Sequence, residues 1–131
     1  MSNPTNEIIT MAALEMQCRD RLDYAKQAGE AIVRTVATFD DKCPTMEVTT
    51  FETSTGVEIT SIGDYLQLRC DFSDNDYGSQ LVQTIVFKSL NGGPEVTEVL
   101  DKEDGTTSRT LPRRKHNYFA AQMSRLVALE I

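Results

Sequence analysis

The densest cluster of positive charge lies at residues 109–116, which read Arg-Thr-Leu-Pro-Arg-Arg-Lys-His. Pro112 is tolerated in the first turn of a helix, so this cluster is predicted to open the last helix of the chain. A helix start presents unpaired N–H groups and about half a positive charge, so cations are unfavourable there. The same groups suit a phosphate or carboxylate ligand. The sequence therefore predicts an anion site, with candidate residues Arg109, Arg113, Arg114, Lys115, His116 and Asn117.

The cluster has two other interpretations. Its side chains are solvated or paired with the acids that precede it in the sequence, namely Asp101, Glu103 and Asp104, or they form a protein interface. Phe87 stands near the end of a predicted strand, where its ring either stacks on a nucleobase or packs in the core.

Other kinds of chemistry find little support in the sequence. His116 is the single histidine, which excludes histidine-rich metal sites, and the chain has no GxSxG, P-loop or dinucleotide motif. Residues 71–78 look like a calcium loop but fail on spacing, since Ile85 stands where the closing glutamate belongs. We therefore expect no catalytic residues, no metal and no cofactor.

Composition limits the partners of the chain. Its 131 residues suit one domain, 1–131, and its net charge of −7 makes it a poor binder of duplex nucleic acid. The three cysteines, Cys18, Cys43 and Cys70, include no CxxC pair, which indicates a reducing compartment and hence the cytoplasm. We expect no membrane partner, because no window is apolar enough to span a bilayer.

A long helix is predicted at the N-terminus. Thr5 or Asn6 is its expected cap, and apolar residues recur at three- and four-residue steps toward Phe39. About 34 residues would span roughly 50 Å, more than the roughly 36 Å width of a compact domain. The helix should then break, with Gly29 as the weakest point, or be covered by a partner. We expect a homo-oligomer formed through this helix.

The middle of the chain alternates β-branched residues with turn signals. The predicted strands are 46–53, 57–62, 65–73, 80–90, 95–100 and 106–111, and the fourth is apolar on both faces, as in a strand covered on both sides. The expected fold is α+β: a long N-terminal helix, an antiparallel meander of five or six strands, and a C-terminal helix, with the helices against one sheet face.

This layout resembles the small phage proteins of the anti-Thoeris type, which act as sponges for cyclic ADP-ribose-like or cyclic nucleotide signals. The resemblance rests on chain size, on Phe87 in the strand region and on Arg114 at the opening of the last helix. It implies that Phe87 stacks on adenine and that Arg114 holds phosphate. Such pockets need a polar side chain near the base, and Asn91 either supplies it or only shapes its turn.

The leading hypothesis is a non-enzymatic, homo-oligomeric protein that sequesters a small anionic, nucleotide-like ligand in the cytoplasm, which is the host cytoplasm for a phage protein. The alternative is a structural or inhibitory protein that acts through a protein interface, such as an assembly subunit or a stoichiometric inhibitor.

Overall fold

The protein consists of a helix, a seven-stranded antiparallel sheet and a second helix. The computed structural model describes residues 10–37, 45–53, 55–63, 65–73, 80–88 and 94–128. The elements are α1 (Met11–Gln27), β1 (Ile32–Ala37), β2 (Thr45–Glu52), β3 (Val57–Ile62), β4 (Tyr65–Asp71), β5 (Leu81–Lys88), β6 (Glu95–Lys102), β7 (Gly105–Thr110), a 3-10 turn (Arg113–Lys115) and α2 (His116–Ala128).

The sheet is a simple meander in which each strand pairs with the next one along the chain, in the order β1 to β7. The predicted α+β class, with one helix before and one after an antiparallel meander, is confirmed. The predicted number of strands is wrong, because there are seven. The missed strand is β1, which falls inside the segment predicted to be helical.

Helix α1 is shorter than predicted at both ends. It begins at Met11, where the Thr10 side chain accepts a hydrogen bond from the N–H of Ala13 at 3.1 Å. Thr10, rather than Thr5 or Asn6, is therefore the N-cap. The helix ends before Gly29, whose φ of +77° lies in the left-handed region that closes many helices. The N–H groups of Glu30 and Ala31 then turn back to the carbonyl oxygen of Ala25.

The length argument for an overhanging helix is consequently wrong. Helix α1 has 17 residues and is about 25 Å long at 1.5 Å per residue. Seven strands about 4.8 Å apart form a sheet about 29 Å wide. The helix therefore fits across the sheet, and its length gives no reason to expect a partner.

The hydrophobic core lies between one face of the sheet and the two helices. Both helices contribute to a single buried cluster with alternate residues of the strands. The fully buried members from the sheet include Ile59, Leu66, Leu68, Ile85, Phe87 and Val96. Helices on one face were predicted, and the structure agrees.

The opposite face of the sheet is not covered by any helix in the described part of the chain. Val82 and Val86 of β5 point to it, and Val82 is buried among its neighbours without joining the core cluster. Among the described residues, helices therefore cover β5 on one face only, although Val82 on the other face is buried.

The sign of the effect of Gly29→Ala tests where α1 ends. A side chain at φ +77° is strained, so we expect a loss of about 1 kcal/mol in the free energy of unfolding. The space around a Cβ at this position is open, so steric contact adds nothing. Urea denaturation measures the effect, and Gly29→Asn is the control, because asparagine tolerates this conformation and should cost less. A gain in stability would instead indicate that the helix continues through Gly29, since alanine stabilises a helix interior.

Candidate functional site

The two helices begin beside each other, and a cleft lies between their starts. Its volume is about 290 Å³. One wall comes from the start of α1 and the other from the start of α2, with Pro94 at the base of β6 between them. The lining residues are Thr10, Met11, Ala12, Pro94, Arg113, His116 and Asn117.

A second, smaller cleft of about 140 Å³ adjoins the first one and shares Pro94, Arg113 and His116 with it. It extends toward the paired ends of β6 and β7, where Glu95 and Thr110 also line it. The guanidinium of Arg113 is exposed and belongs to both clefts. Glu95 is the one carboxylate among the described lining residues, and its negative charge would repel an anion in the smaller cleft.

Some backbone N–H groups at both helix starts have no acceptor among the described residues. In α1 the N–H groups of Ala13 and Leu14 bond to Thr10, whereas those of Met11 and Ala12 precede the first helical acceptor. The 3-10 turn that leads into α2 has no side-chain cap, and its first bond runs from the Lys115 N–H to the Pro112 oxygen. The positive ends of two helix dipoles therefore converge on one cleft.

The last helix was predicted to begin near Pro112, and its first turn does follow that residue. Thr110 is the last residue of β7 and does not cap the helix. The orientation of His116 is fixed by its Nε2, which lies 3.0 Å from the carbonyl oxygen of Leu111. Because a carbonyl only accepts, Nε2 carries a proton and donates it there.

Charge pairing does not neutralise the cluster. No carboxylate of the described residues lies within 4.0 Å of the charged atoms of Arg113, Arg114 or Lys115. The acids proposed as partners sit at the opposite end of the β6–β7 hairpin, since Asp101 pairs with Thr106 whereas the cluster follows Thr110. Six residues of strand separate the two ends, or about 20 Å.

Arg109 belongs to a different interaction. Its Nε donates to Glu98 Oε1 at 2.7 Å, and Gln83 Nε2 donates to Glu98 Oε2 at the same distance. Only 2% of the Glu98 side chain is exposed, so the carboxylate depends on these two donors. Arg109 lines neither cleft, and the structure assigns its Nε to Glu98 rather than to the candidate site.

The structure places the remaining predicted residues as follows. Phe87 is fully buried in the core, so its ring has no face available for a base, and we correct its assignment to a core residue. Asn91 lies outside the described residues. Arg114 and Lys115 sit on the 3-10 turn but line neither cleft, whereas Arg113, His116 and Asn117 are brought together.

Sequence reasoning missed the contribution of the first helix. Thr10, Met11 and Ala12 complete the cleft, although more than 80 residues separate them from Pro94 along the chain. The local signal was present, because Thr10 is a good N-cap followed by the strong helix formers Met, Ala, Ala, Leu and Glu. Their meeting with α2 depends on the topology of the sheet.

The cysteines that the structure describes are structural. Cys18 and Cys70 are both buried, and Cys70 Sγ lies 3.9 Å from Met123 Sδ. Burial raises the pKa of Cys18 to about 12 and that of Cys70 to about 11. Neither thiol is a nucleophile at neutral pH, and neither contacts His116.

A larger, open groove of about 500 Å³ lies elsewhere, along α1. It is lined by Ala13, Met16, Gln17, Asp20, Arg21 and Tyr24. Met16 and Tyr24 are each 64% exposed, and the Arg21 guanidinium lies 4.3 Å from the centre of the Phe51 ring. This surface has no basic cluster and suits an apolar partner better than an anion.

No protein-family model, curated protein or solved structure matches the chain. Within the described residues, no helix is both long and apolar enough to cross a membrane. Nor do three or more histidine, cysteine or acidic side chains gather there in a way that would hold a metal ion. In the rejected calcium loop, hydrogen bonds from the side chain and the N–H of Ser73 lower the pKa of Asp71.

Alkylation should report the burial of Cys18 and Cys70. At pH 8 we expect both to react with iodoacetamide at least about 100-fold more slowly than an exposed thiol, because the thiolate is the nucleophile. Peptide mass spectrometry after a timed reaction gives the rate at each site. In urea both should react at the rate of a free cysteine, and fast reaction of either one in the native protein would contradict their burial.

The same thiols predict how stability changes in alkali. They stay protonated in the folded protein and ionise in the unfolded chain from about the ordinary value of 9.0. The unfolded state therefore binds fewer protons above that pH, so their contribution to the free energy of unfolding falls as pH rises toward 11 and 12. Cys70→Ser should reduce this dependence in urea denaturation series.

Proposed function

We propose that this protein is a non-enzymatic binding protein that sequesters a small anionic, nucleotide-like ligand, such as a cyclic nucleotide or a cyclic ADP-ribose-type signal. The observation that carries the proposal is the convergence of two helix starts and Arg113 on one cleft. Such a ligand would be held by its phosphate groups. In this proposal the protein acts in the host cytoplasm as a phage anti-defence sponge.

The chemistry of the cleft favours phosphate over other ligands. Backbone N–H groups and a guanidinium make short, charge-assisted hydrogen bonds to phosphate oxygens. Arg113 is the best placed cation, because it lines both clefts and no described carboxylate pairs with it. Lys115 and Arg114 add long-range attraction from the same turn, against a chain that is acidic overall.

The base of a nucleotide needs an aromatic partner other than Phe87. Phe87 is buried, whereas Tyr118 is 64% exposed and stands two residues after His116 on α2. Its ring lies 5.8 Å from that of Phe119 and nearly perpendicular to it, and the exposure of Tyr118 leaves much of the side chain open to a base. We propose Tyr118 as the aromatic surface of the site, in place of Phe87.

Binding without catalysis is supported by the nature of the lining groups. The described residues of the two clefts supply hydrogen-bond donors and a cation but no thiol, and their one carboxylate, Glu95, forms no ion pair with His116. The buried thiols of Cys18 and Cys70 lie in the core, away from both clefts.

A second candidate function is supported by the apolar groove on α1. Its exposed Met16 and Tyr24 are typical of a surface that binds another protein. In this alternative the chain is a structural or inhibitory protein, such as an assembly subunit or a stoichiometric inhibitor. Its partner would bind away from the basic cluster, and that location distinguishes the two functions.

Arginine variants test the proposed site. Arg113→Ala should weaken binding of the cyclic nucleotide that the wild type binds by about 10- to 100-fold, because a charge-assisted hydrogen bond is worth roughly 1.5–3 kcal/mol. Arg114→Ala should have a smaller effect, since Arg114 lines neither cleft. Arg125→Ala is the matched control, as it removes one exposed arginine from the same end of the chain. Native mass spectrometry against a panel of cyclic nucleotides identifies the ligand, and calorimetry then gives the affinities.

Two results would contradict the proposal. One is a wild-type protein that binds no member of the panel at any concentration used. The other is a bound nucleotide whose affinity is the same in wild type, Arg113→Ala and Arg125→Ala. In either case, loss of a protein partner on Met16→Lys would favour the interface function.

A further inference from the structure

The first strand of the sheet is an exposed apolar edge. All six residues of β1, Ile32–Ala37, are exposed, so the strand is open to solvent on both faces of the sheet. Ile32 is 68% exposed, Val33 46% and Val36 43%, which makes this the most apolar exposed strand in the described structure. One long side of β1 pairs with β2, and no described strand pairs with the N–H and C=O groups of the other side.

Apart from the charge of Arg34, the usual protections of a sheet edge are missing from β1. It has six residues, contains no proline or lysine, and pairs with β2 without a bulge, residue by residue from Ile32 to Ala37. The other edge of the sheet is different in character. Strand β7 reads Gly-Thr-Thr-Ser-Arg-Thr, so its exposed side chains are polar and hydrated.

The apolar surface continues from β1 onto the uncovered face of the sheet. Ile32 and Val36 lie on that face, and Met46 sits opposite Val36 on β2. Ile62 lies opposite Val48 on the next strand, and Tyr65 follows at 44% exposure. A partner on the β1 edge would thus cover both the strand and the start of this apolar strip.

We propose that β1 pairs in antiparallel fashion with β1 of a second copy of this chain, which joins two sheets into one of fourteen strands. A twofold axis perpendicular to the sheet makes the two edges identical and mutually complementary. It also keeps the helices of both copies on the same face and brings the two apolar strips side by side.

The charge and polarity of the two sheet edges favour β1 of a second copy as the partner of β1. Two copies that each carry a net charge of −7 repel each other over most of their surfaces, but Arg34 is the single charged residue of β1. Residues that face each other across such an axis share a sheet face, so an axis beside Val33 or Thr35 sets Arg34 opposite Ile32 or Val36 of the copy rather than directly opposite Arg34. Pairing of β1 with β7 of another copy would place the valines of β1 against the hydrated threonines of β7. Such head-to-tail pairing would also leave one apolar β1 edge uncovered at the end of every assembly.

Sedimentation velocity over a hundredfold range of concentration tests the pairing. Wild type should convert from the 14.6 kDa chain to a species of twice that mass and stop there. Val36→Lys places a charge on the paired strand and should weaken the dimer at least about 10-fold. Met16→Lys is the control, because it puts the same charge on an exposed apolar position of α1, away from the paired strand.

Hydrogen exchange on wild type supplies a readout that needs no variant. Amides of residues 32–37 should exchange more slowly at high concentration, while those of the other edge, Gly105–Thr110, should not change. The proposal is overturned by a monomer at every concentration, by a Val36→Lys dimer as tight as wild type, by assembly lost in Met16→Lys alone, or by mass that grows without limit. Neither measurement involves the ligand, so failure here is separate from failure of the proposed binding site.

Discussion

The passage of α1 across the sheet is the constraint on which the other features depend. A meander moves the chain sideways by one strand spacing at each turn, so β1 and β7 end up at opposite edges. Helix α1 runs across most of this width: it packs over β2, β3 and β4, its start shares a cleft with Pro94 before β6, and its end is tied to β2 by the 3.1 Å pair of Lys26 with Glu47. When the chain leaves β7 it is therefore back beside the start of α1. The two helix starts meet because α1 is long enough to run from β2 to the start of β6.

That meeting explains why an unfavourable charge cluster is tolerated. Cations at a helix start oppose the dipole, and here two helix starts lie together. A sequence selected for stability alone would place acids at residues 113–116. Instead Asp101, Glu103 and Asp104 stand about a strand length away, near the β6–β7 turn, the buried acid Glu98 engages Arg109, and Glu95 lines the smaller cleft without forming an ion pair with Arg113. Arg113, Arg114 and Lys115 therefore contribute a positive potential that costs stability, and an anion at the cleft would offset that cost.

Much of the fold was predictable, because strand alternation is a local signal. The bounds of β3 were predicted to the residue, and those of β2, β4 and β6 to within two residues. Strand β1 was missed because Ile32 and Val36 also fit a helical spacing of four, which extends the stripe of α1. Gly29 separates the two periods, and a glycine alone does not say whether a helix bends or stops.

Of the site, the helix start with Arg113, His116 and Asn117 was predictable. The contribution of Thr10 and Met11, the pairing of Arg109 with Glu98, and the burial of Phe87 all depend on which strands become neighbours, which no local pattern reports.

The most direct test of the central claim is to map where an anion binds. Titrating ¹⁵N-labelled protein first with inorganic phosphate and then with cyclic nucleotides, and following the amide resonances, reports each backbone N–H separately. The account predicts saturable shifts at Met11 and Ala12 of α1 together with Arg113 and His116, since only a ligand in the cleft contacts both helix starts. Shifts confined to α1 residues 13–24, or the absence of saturable shifts at both helix starts, would contradict it.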